Sequence, residues 1–420
     1  MTTVEEVRFP TPDEIEGFWA FDKMHAPRPL HPLSQDLVMA TISRGFTRAQ
    51  AEYDCPIVAS SKAINHYFYM AFHPHPDEEV IEDRMTRYLG MVDKTVPLMI
   101  TGAAGFIGRN LAATLRAEGW QNLLLLDLDS PEGALEDYAG KAAFVFHLAG
   151  VNRPQNTEEF YTGNAGLTQR LLAALRAAGN KAPVLLSSSA HAGNGTDYAK
   201  SKEEAEAALF DHARLNGSPV YAYRLPGVFG KWSRPNYNTV VATFCHNVAR
   251  GLPLEIRDPA YAFALCYIDD VVRSFMARLE GTAPAGEAPA ASGTTCGIDP
   301  SYEVSLGWLA GTIRSFAATR QNLTVPDMGD DLTRKLWATY LSFIPENKLS
   351  YPLRSNVDDR GSFTEFLRSH ESGQVSVNVA KPGIVKGNHW HNTKNEKFLV
   401  VSGRAVIRLR RIGTKDVVAY

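Results

Sequence analysis

The sequence has few cysteines, almost no net charge and no long apolar run. Its 420 residues include only four cysteines, with no CxxC pair, which argues against a disulfide framework and predicts a reduced, cytoplasmic protein. The formal net charge is −3 at pH 7, so nothing in the composition predicts nucleic acid or an anionic membrane as a partner. No apolar stretch approaches the ~18 residues of a membrane span. The acidic start, MTTVEEVRFP, lacks the apolar region of a signal peptide.

The pattern of residue types changes twice along the chain and predicts three segments. Residues 1–97 are rich in aromatics, histidine and proline, and we expect them to be partly helical. In residues 98–345, apolar strands alternate with amphipathic helices, which predicts an α/β fold with a Rossmann-type, doubly wound parallel sheet. Residues 346–420 contain short alternating runs, GSFTEFLR, GQVSVNVA, EKFLVVSG and RAVIRLRR, which predict a small all-β domain.

A glycine-rich turn follows the first predicted strand. In TGAAGFIG, the residues Gly102, Gly105 and Gly108 stand directly before a helix, which is typical of a site for the pyrophosphate of a dinucleotide. Asp127 ends the next strand about twenty residues on, where an acid bonds a ribose hydroxyl. An acid there repels a 2′-phosphate, so the local chemistry favours NAD. The alternative is a glycine-rich turn of some other α/β fold.

A tyrosine and a lysine in YAKSK predict a proton-transfer site. Tyr198 and Lys202 are four residues apart and therefore share one face of a helix. A lysine ammonium beside a phenol favours the phenolate, so we expect a lowered Tyr198 pKa and proton transfer to or from a sugar oxygen. The run SSS at 187–189 ends the preceding strand and offers a hydroxyl to the same oxygen. The alternative is a chance spacing on an exposed helix.

Together these motifs resemble the extended short-chain dehydrogenase/reductase family, which acts on nucleotide sugars. The resemblance extends to HLAGVNRP, Asn164, RLPGVFG and YIDDVV. It implies Ser189 as the carbonyl-polarising serine, with Ser188 as the fallback. Dehydratases of this family carry an Asp-Glu pair after that serine, whereas here Ala190 and His191 follow. This departure argues against 4,6-dehydration and leaves reduction or epimerisation.

The resemblance also implies which residues contact cofactor and substrate. The implied cofactor contacts are Gly102, Gly105, Phe106, Ile107, Gly108, Asp127, Leu148, Ala149, Gly150 and Lys202. The implied substrate contacts are Asn152, Arg224, Arg234 and Asn236, of which Arg234 and Asn236 belong to the loop Arg234–Asn238. The fork of an arginine suits a phosphate, so these arginines are candidates for the nucleotide diphosphate. For Arg224, a structural ion pair with a nearby acid is the alternative.

Longer phrases narrow the resemblance. In order along residues 98–420, RLPGVFGKWSRPNYN, SYPLRSNVDDRGSFTEF and GNHWHNTKNEKFLVVSG are similar to the CapF family of capsular-polysaccharide assembling proteins, which join a reductase to a cupin. The resemblance implies a UDP-2-acetamido-2,6-dideoxy-hexos-4-ulose substrate, epimerised at C3 by the cupin and reduced at C4 by the reductase, on the route to UDP-N-acetyl-L-fucosamine. It also implies a homodimer. The implied reductant is NADPH, which conflicts with the expectation from Asp127.

The C-terminal segment carries a predicted metal site. His389 and His391 at i and i+2 face one side of a strand, and Glu396 follows from the next, a donor set that suits zinc or another divalent ion. The spacing fits a first cupin motif, and the alternative is a strand with two surface histidines. Cupins add a histidine from a second motif, and none follows before Tyr420. We therefore expect a truncated cupin that binds metal weakly or not at all, and loss or severe impairment of the C3 step.

Residues 1–97 loosely resemble the opening of a substrate-binding region from phosphoenolpyruvate-utilising enzymes of the rifampicin-phosphotransferase type. No phosphate loop or phospho-histidine motif accompanies the resemblance, so it implies no catalytic residue. His66, His73 and His75 are expected to be loop histidines rather than metal ligands.

Two other functions remain open from the sequence. One is a nucleotide-sugar 4-epimerase that keeps NAD bound and recycles it. The other is a non-catalytic chimeric fragment that folds only in its middle part.

Overall fold

The computed structural model describes residues 94–237, 239–281, 295–369, 373–391 and 395–420. The described residues form two compact units, the first reaching Val240 and including Ala262–Val304, the second formed by Val241–Tyr261 and Ser305–Tyr420. Residues 1–93 lie outside the described residues. The predictions that this segment is partly helical and that His66, His73 and His75 are loop histidines fall there. The predicted division into three segments stays a prediction.

The first unit is built on a six-stranded sheet with strand order β2-β1-β3-β4-β5-β8. Every neighbouring pair of strands is parallel. The strands are β1 (Leu98–Thr101), β2 (Leu123–Leu126), β3 (Phe144–His147), β4 (Val184–Ser189), β5 (Val220–Leu225) and β8 (Thr295–Cys296). This confirms the predicted Rossmann-type doubly wound sheet.

Helices cover both faces of this sheet because its strands are apolar on both faces. Leu98 and Ile100 pack into one core cluster, whereas Met99 between them packs into the other. Such near-continuous apolar strands are typical of parallel sheets buried on both sides. The helices are α1 (Phe106–Ala117), α2 (Ala134–Lys141), α3 (Glu158–Phe160), α4 (Leu167–Ala177), α5 (Asp197–Asn216) and α7 (Ile268–Leu279), and a π-helical turn (Tyr161–Gly166) joins α3 to α4.

Helix α5 carries YAKSK and has well-defined ends. The Thr196 side chain accepts a hydrogen bond from Ala199 N at 3.2 Å and caps the helix. The helix stops at Gly217, which has φ +71° and adopts the left-handed conformation that favours glycine.

Additional strands complete the first unit. A second sheet has the order β6-β7-β9, formed by β6 (Gly227–Phe229), β7 (Ala262–Tyr267) and β9 (Tyr302–Ser305). Strand β8 pairs with Ala222 and Tyr223 of β5 and forms one edge of the six-stranded sheet. The sequence analysis did not assign a strand there, since local composition does not report a pairing partner far away in sequence.

The second unit combines helices with small antiparallel sheets. Its helices are α6 (Val240–Arg250), α8 (Leu306–Asn322) and α9 (Asp331–Ser342), followed by a 3₁₀ turn (Glu346–Lys348). The Ser305 and Asp330 side chains cap α8 and α9 by accepting hydrogen bonds from Trp308 N and Thr333 N. Among the described residues of the whole chain, none of the helices combines the length and apolarity that a membrane crossing demands.

The C-terminal strands only partly match their prediction. One antiparallel sheet contains β10 (Ser355–Asp358), β11 (Gly361–Ser369) and β12 (Gly373–Ala380), and another contains β13 (Arg408–Arg410) and β14 (Val417–Ala419). GSFTEFLR and GQVSVNVA are confirmed as strands, but EKFLVVSG is not a strand and RAVIRLRR forms a strand only over Arg408–Arg410. Leu399 and Val401 of EKFLVVSG are 86% and 88% exposed, so the alternating pattern there lacks the burial that stabilises a strand.

Candidate functional site

In the glycine-rich turn between β1 and α1, neighbouring backbone segments approach so closely that two of the glycines have no room for a side chain. Gly102 has φ +66°, and a methyl group in its place would lie 2.7 Å from Ala149 Cα. A methyl group on Gly108 would lie 2.3 Å from Gly102 O, so this glycine permits close packing of α1 on the turn. At Gly105 a methyl group would meet only Gly102 O, at 3.0 Å, and is otherwise unobstructed.

Helix α1 begins beside this open position. Gly105 is its N-cap, and no side chain caps the helix. The N–H groups of the first helical turn and the helix dipole therefore face a point where a negatively charged group is stabilised. Phe106 and Ile107 pack partly buried against the core and fix this turn. The turn fits the pyrophosphate of a dinucleotide.

Asp127 at the end of β2 is tied to the same turn. Its Oδ2 accepts a hydrogen bond from Ala104 N at 2.7 Å, and its Oδ1 accepts one from Leu128 N at 2.9 Å. Each carboxylate oxygen has a second acceptor site, so the side chain retains the capacity to bond a ribose hydroxyl. The segment DLDSPEG after β2 contains no basic residue.

The strand end Leu148-Ala149-Gly150 lies between the glycine turn and α5. Leu148 N donates to Thr101 O, and Ala149 N donates to Thr101 Oγ1, both at 3.2 Å. A methyl group on Gly150 would lie 2.7 Å from Asn164 Oδ1 and 3.0 Å from Lys202 Nζ. The glycine therefore allows the backbone after β3 to approach the lysine of YAKSK.

The predicted proton-transfer residues meet at the end of β4. Ser189 is buried, and its hydroxyl lies close enough to the Tyr198 phenol to lower the pKa of that phenol. Lys202 is buried too, and its Nζ donates to Ser187 O at 3.1 Å. The neighbouring Ser188 bonds Glu206 instead. Of the two serines weighed from the sequence, Ser189 is the one that acts on the Tyr198 phenol.

The predicted lowering of the Tyr198 pKa is not seen. Burial raises the pKa of Tyr198, and the hydrogen bond from Ser189 offsets only part of that rise. Burial of Lys202 lowers its pKa to about 8, and the negative charge of Glu206 opposes this shift. The prediction was wrong because helical spacing takes no account of burial, which disfavours the charged forms of both side chains.

A buried histidine beneath the site was not predicted. His147 Nδ1 lies 2.7 Å from Thr101 Oγ1, and its Nε2 lies 2.8 Å from Thr168 Oγ1. Thr168 donates to Asn164 O, so it accepts from Nε2–H, and the ring is neutral with its proton on Nε2. Burial, followed by the charge of Lys202, lowers the pKa of His147 to about 3.

Asn164 links this network to the loop after β3. It lies in the π-helical turn and exchanges hydrogen bonds with the Val151 backbone, at 2.9 Å through Oδ1 and at 3.1 Å through Nδ2. Its Nδ2 also donates to Ser201 Oγ at 3.0 Å. Such π-turns often mark functional sites.

Arg224, a predicted substrate contact, forms an ion pair. Its Nε and Nη2 donate to Glu206 Oε1 at 3.0 Å and Oε2 at 2.7 Å. Glu206 is only 4% exposed, whereas the Arg224 side chain is 39% exposed. This bidentate pair is the structural alternative weighed from the sequence, and the substrate contact stays a prediction.

Two other arginines flank a tyrosine. The guanidinium of Arg234 lies 5.1 Å from the centre of the Tyr237 ring, and that of Arg153 lies 6.0 Å from it. Both arginines are exposed, as are the predicted contacts Asn152 and Asn236, while Asn238 lies outside the described residues. The sequence analysis missed Arg153, although it stands beside Asn152 in HLAGVNRP.

The predicted metal ligands come together at the surface. His389 Nε2 and His391 Nε2 are 3.1 Å apart, and His391 Nε2 lies 3.6 Å from Glu396 Oε1. One ligand atom from each residue lies within 4.8 Å of the others, and all three residues are exposed. Two imidazoles and a carboxylate are a donor set that fits a divalent ion such as zinc.

Comparison with known proteins gives matches to two families. Residues 98–288 match the NAD dependent epimerase/dehydratase family. Residues 356–420 match a family described as the polysaccharide biosynthesis C-terminal domain.

Two of the individual relatives cover about three quarters of the chain. A UDP-2-acetamido-2,6-beta-L-arabino-hexul-4-ose reductase from Pseudomonas aeruginosa is 43% identical over 317 residues, 76% of this chain and 83% of the relative. A ceramide reductase from Caulobacter vibrioides is 26% identical over 197 residues, 42% of this chain and 59% of the relative. The crystal structure of the capsular polysaccharide assembling protein CapF from Staphylococcus aureus aligns with a TM-score of 0.71 and 41% identity, over 77% of this chain and 86% of that one.

Proposed function

Because the chain belongs to the NAD dependent epimerase/dehydratase family, we propose that it reduces the C4 ketone of a UDP-2-acetamido-2,6-dideoxy-hexos-4-ulose. The reaction would serve capsular or O-antigen precursor synthesis on the route to UDP-N-acetyl-L-fucosamine. The chain is an NAD(P)-dependent enzyme of CapF type, and the name of its 43% identical relative supports a 4-keto sugar as substrate. The observation that carries the proposal is the placement of Tyr198 beside Ser189 at the end of β4, one helical turn from the buried Lys202.

Each catalytic residue has a defined task in this proposal. The nicotinamide cofactor, when bound, supplies hydride to C4. Tyr198 donates its phenolic proton to the oxygen that becomes the C4 hydroxyl, and Ser189 donates a hydrogen bond to the same oxygen. Lys202 stabilises the phenolate left behind. Burial raises the pKa of Tyr198, so the phenol carries its proton before the reaction and is available to donate it as the oxygen becomes basic.

The glycine turn is proposed to hold the dinucleotide. Gly102, Gly105 and Gly108 would cradle the pyrophosphate, and the strand end Leu148-Ala149-Gly150 would line the path towards Lys202. We propose NADPH as the reductant, following the family resemblance. The carboxylate of Asp127 and the absence of a basic residue in DLDSPEG favour NADH as the competing choice. Affinities for the two cofactors, measured in parallel at one ionic strength, decide between them.

The exposed cations near Tyr237 support a site for the UDP diphosphate. Arg153 and Arg234 place two guanidinium groups on one aromatic ring, and neither forms an ion pair with an acid in the part of the chain that the structure describes. A diphosphate supplies the negative charge that such a pair accommodates. Asn152, Asn236 and Arg224 remain proposed substrate contacts of the same region.

The remaining proposals concern organisation. We propose the reductase over residues 98–345, a cupin segment over 346–420 and a separate segment over 1–97. His389, His391 and Glu396 would hold the metal, which supplies Lewis acidity for C3 epimerisation in a complete site. Three described cysteines, Cys245, Cys266 and Cys296, are buried and not disulfide-bonded, which supports a reducing, cytoplasmic location. The homodimer stays a prediction.

The test is cofactor consumption by the full chain with the UDP-4-keto sugar. Net oxidation of NADPH, with appearance of a C4 hydroxyl by NMR, is the expected result. Turnover of sugar without net oxidation would identify the NAD-recycling 4-epimerase instead. Absence of dinucleotide binding, measured by calorimetry, would identify a non-catalytic chain.

A further inference from the structure

Three residues of α5 face three consecutive serines of β4, and two of them form hydrogen bonds with these serines. Tyr198, Lys202 and Glu206 are spaced by four residues and therefore form one stripe along the helix. Lys202 donates to the Ser187 carbonyl and Glu206 accepts from the Ser188 hydroxyl, while Tyr198 lies beside the Ser189 hydroxyl. Glu206 lies one helical turn beyond the proton-transfer pair Tyr198 and Lys202, and the proposed reaction assigns it no role.

Glu206 brings a charge into the interior directly below Lys202. Its carboxylate is 4% exposed and accepts from Ser188 Oγ and from two nitrogens of Arg224. Arg224 stands opposite Ser188 in the pairing of β4 with β5, so strand register brings both partners to the same carboxylate. The arginine side chain remains 39% exposed, so water screens the guanidinium more than the acid.

Lys202 sits among few charges. From its own helix it faces Tyr198, a neutral phenol, and Glu206. From β3 it faces His147, which burial keeps neutral, and from β4 it faces only a backbone carbonyl. Arg224 on β5 bonds the Glu206 carboxylate and therefore affects Lys202 by way of that carboxylate. Burial pulls the pKa of Lys202 down to about 8, and Glu206 is the group that opposes this fall.

We infer that Glu206 is a positioning residue for the reaction, because its carboxylate keeps the Lys202 ammonium charged while Arg224, as the counter-charge, limits that effect. The inference rests on the proposed function, in which a charged Lys202 stabilises the Tyr198 phenolate. A purely structural ion pair joining α5 to β5 would affect stability alone. The two roles differ in what they do to the pH dependence.

Glu206→Gln keeps the size of the side chain and removes its charge. We expect the Lys202 pKa to fall by about one unit, since an adjacent opposite charge shifts a pKa by about 1–3 units and Arg224 already offsets part of it. The alkaline limb of the kcat–pH profile moves to lower pH by the same amount. The Lys202 titration is followed by NMR of protein labelled with [13Cε]lysine, with the signal assigned by its loss in Lys202→Arg.

Arg224→Gln provides the opposite change. It removes the positive charge that pairs with Glu206. The Lys202 pKa is therefore expected to rise, and the alkaline limb of the kcat–pH profile is expected to move to higher pH. Glu206→Asp retains the charge, so the alkaline limb of its kcat–pH profile is expected to lie close to that of the wild type. If Glu206→Gln does not fold, the upward shift in Arg224→Gln carries the test, because that side chain is partly exposed.

The NMR titration needs neither cofactor nor substrate, so it separates the two hypotheses. If the wild-type chain does not consume NADPH, the proposed reaction fails while the lysine titration still measures the coupling. Unchanged Lys202 titrations in folded Glu206→Gln and Arg224→Gln would overturn the inference, and would assign the pair to structure.

Discussion

Strands β4 and β12 both carry valines, but the two strands meet different surroundings. Val184 of β4 is fully buried, with 0% of its surface exposed, whereas Val375, Val377 and Val379 of β12 are 48%, 53% and 56% exposed. An apolar pattern therefore predicts a strand in both places but reports nothing about what covers it. The same contrast separates the two candidate sites: Tyr198 and Lys202 lie on α5 beside Ser189 of the buried strand β4, and His389, His391 and Glu396 lie at the surface.

Removing the phenolic hydroxyl tests whether the chemistry belongs to the buried site. Tyr198→Phe is expected to lower kcat by about 10²–10⁴-fold, the usual contribution of a general acid, with dinucleotide affinity nearly unchanged. Tyr138→Phe on α2, whose side chain packs against the core away from the glycine turn, is the matched control. Stopped-flow oxidation of NADPH measures the loss. Wild-type turnover in Tyr198→Phe would show that the chemistry does not depend on this site.

A pair of identical substitutions tests the difference in burial directly. Val184→Ala is expected to lower the free energy of unfolding by about 2–3 kcal/mol, because it removes buried methyl groups and leaves a cavity. Val377→Ala is expected to change it by less than about 0.5 kcal/mol, since the side chain is half exposed. Urea denaturation followed by far-UV circular dichroism gives both values. An equal loss in the two variants would mean that β12 is covered in solution.

The neutral His147 predicts a pH dependence of stability. Its pKa in the fold, about 3, lies below the ordinary value of 6.5, so its contribution is present above pH 6.5 and is lost as pH falls towards 3. Between pH 6.5 and 5 the loss amounts to about 2 kcal/mol, at about 1.4 kcal/mol per pH unit.

Urea denaturation at pH 7 and pH 5 is the measurement for His147. His147→Gln is expected to be less stable at pH 7 but to lose less stability on acidification than the wild type. His191→Gln, at an exposed position, serves as control. Equal acid sensitivity of wild type and His147→Gln would contradict a neutral, buried imidazole.

The smallest effect is expected at the exposed histidines. Zinc binding by three surface ligands is expected to be weak, and His389→Ala is expected to weaken it by about tenfold further. Isothermal titration with zinc chloride measures this, and Lys386→Ala is the neighbouring control. Zinc binding that is as tight in His389→Ala as in the wild type would show that these side chains do not form the site.

Local motifs predicted much of the first unit because their chemistry lies within a few residues. TGAAGFIG contains the turn, the helix start and the close approach at Gly108, and YAKSK places two side chains on one face of α5. The same reasoning failed for the pKa of Tyr198, which depends on burial. It also did not find Arg153 or His147, whose partners come from distant strands and loops.

The sequence alone determined the alternation of strands and helices, the glycine turn and the four-residue spacing of Tyr198, Lys202 and Glu206, because backbone geometry and periodicity are local. Only the tertiary structure decided which serine bonds which member of that stripe and brought Arg224 to Glu206. It also decided that the valines of β12 remain exposed while Val184 is buried. These outcomes depend on strand register and packing, which join residues far apart in the chain and set the desolvation of each charge.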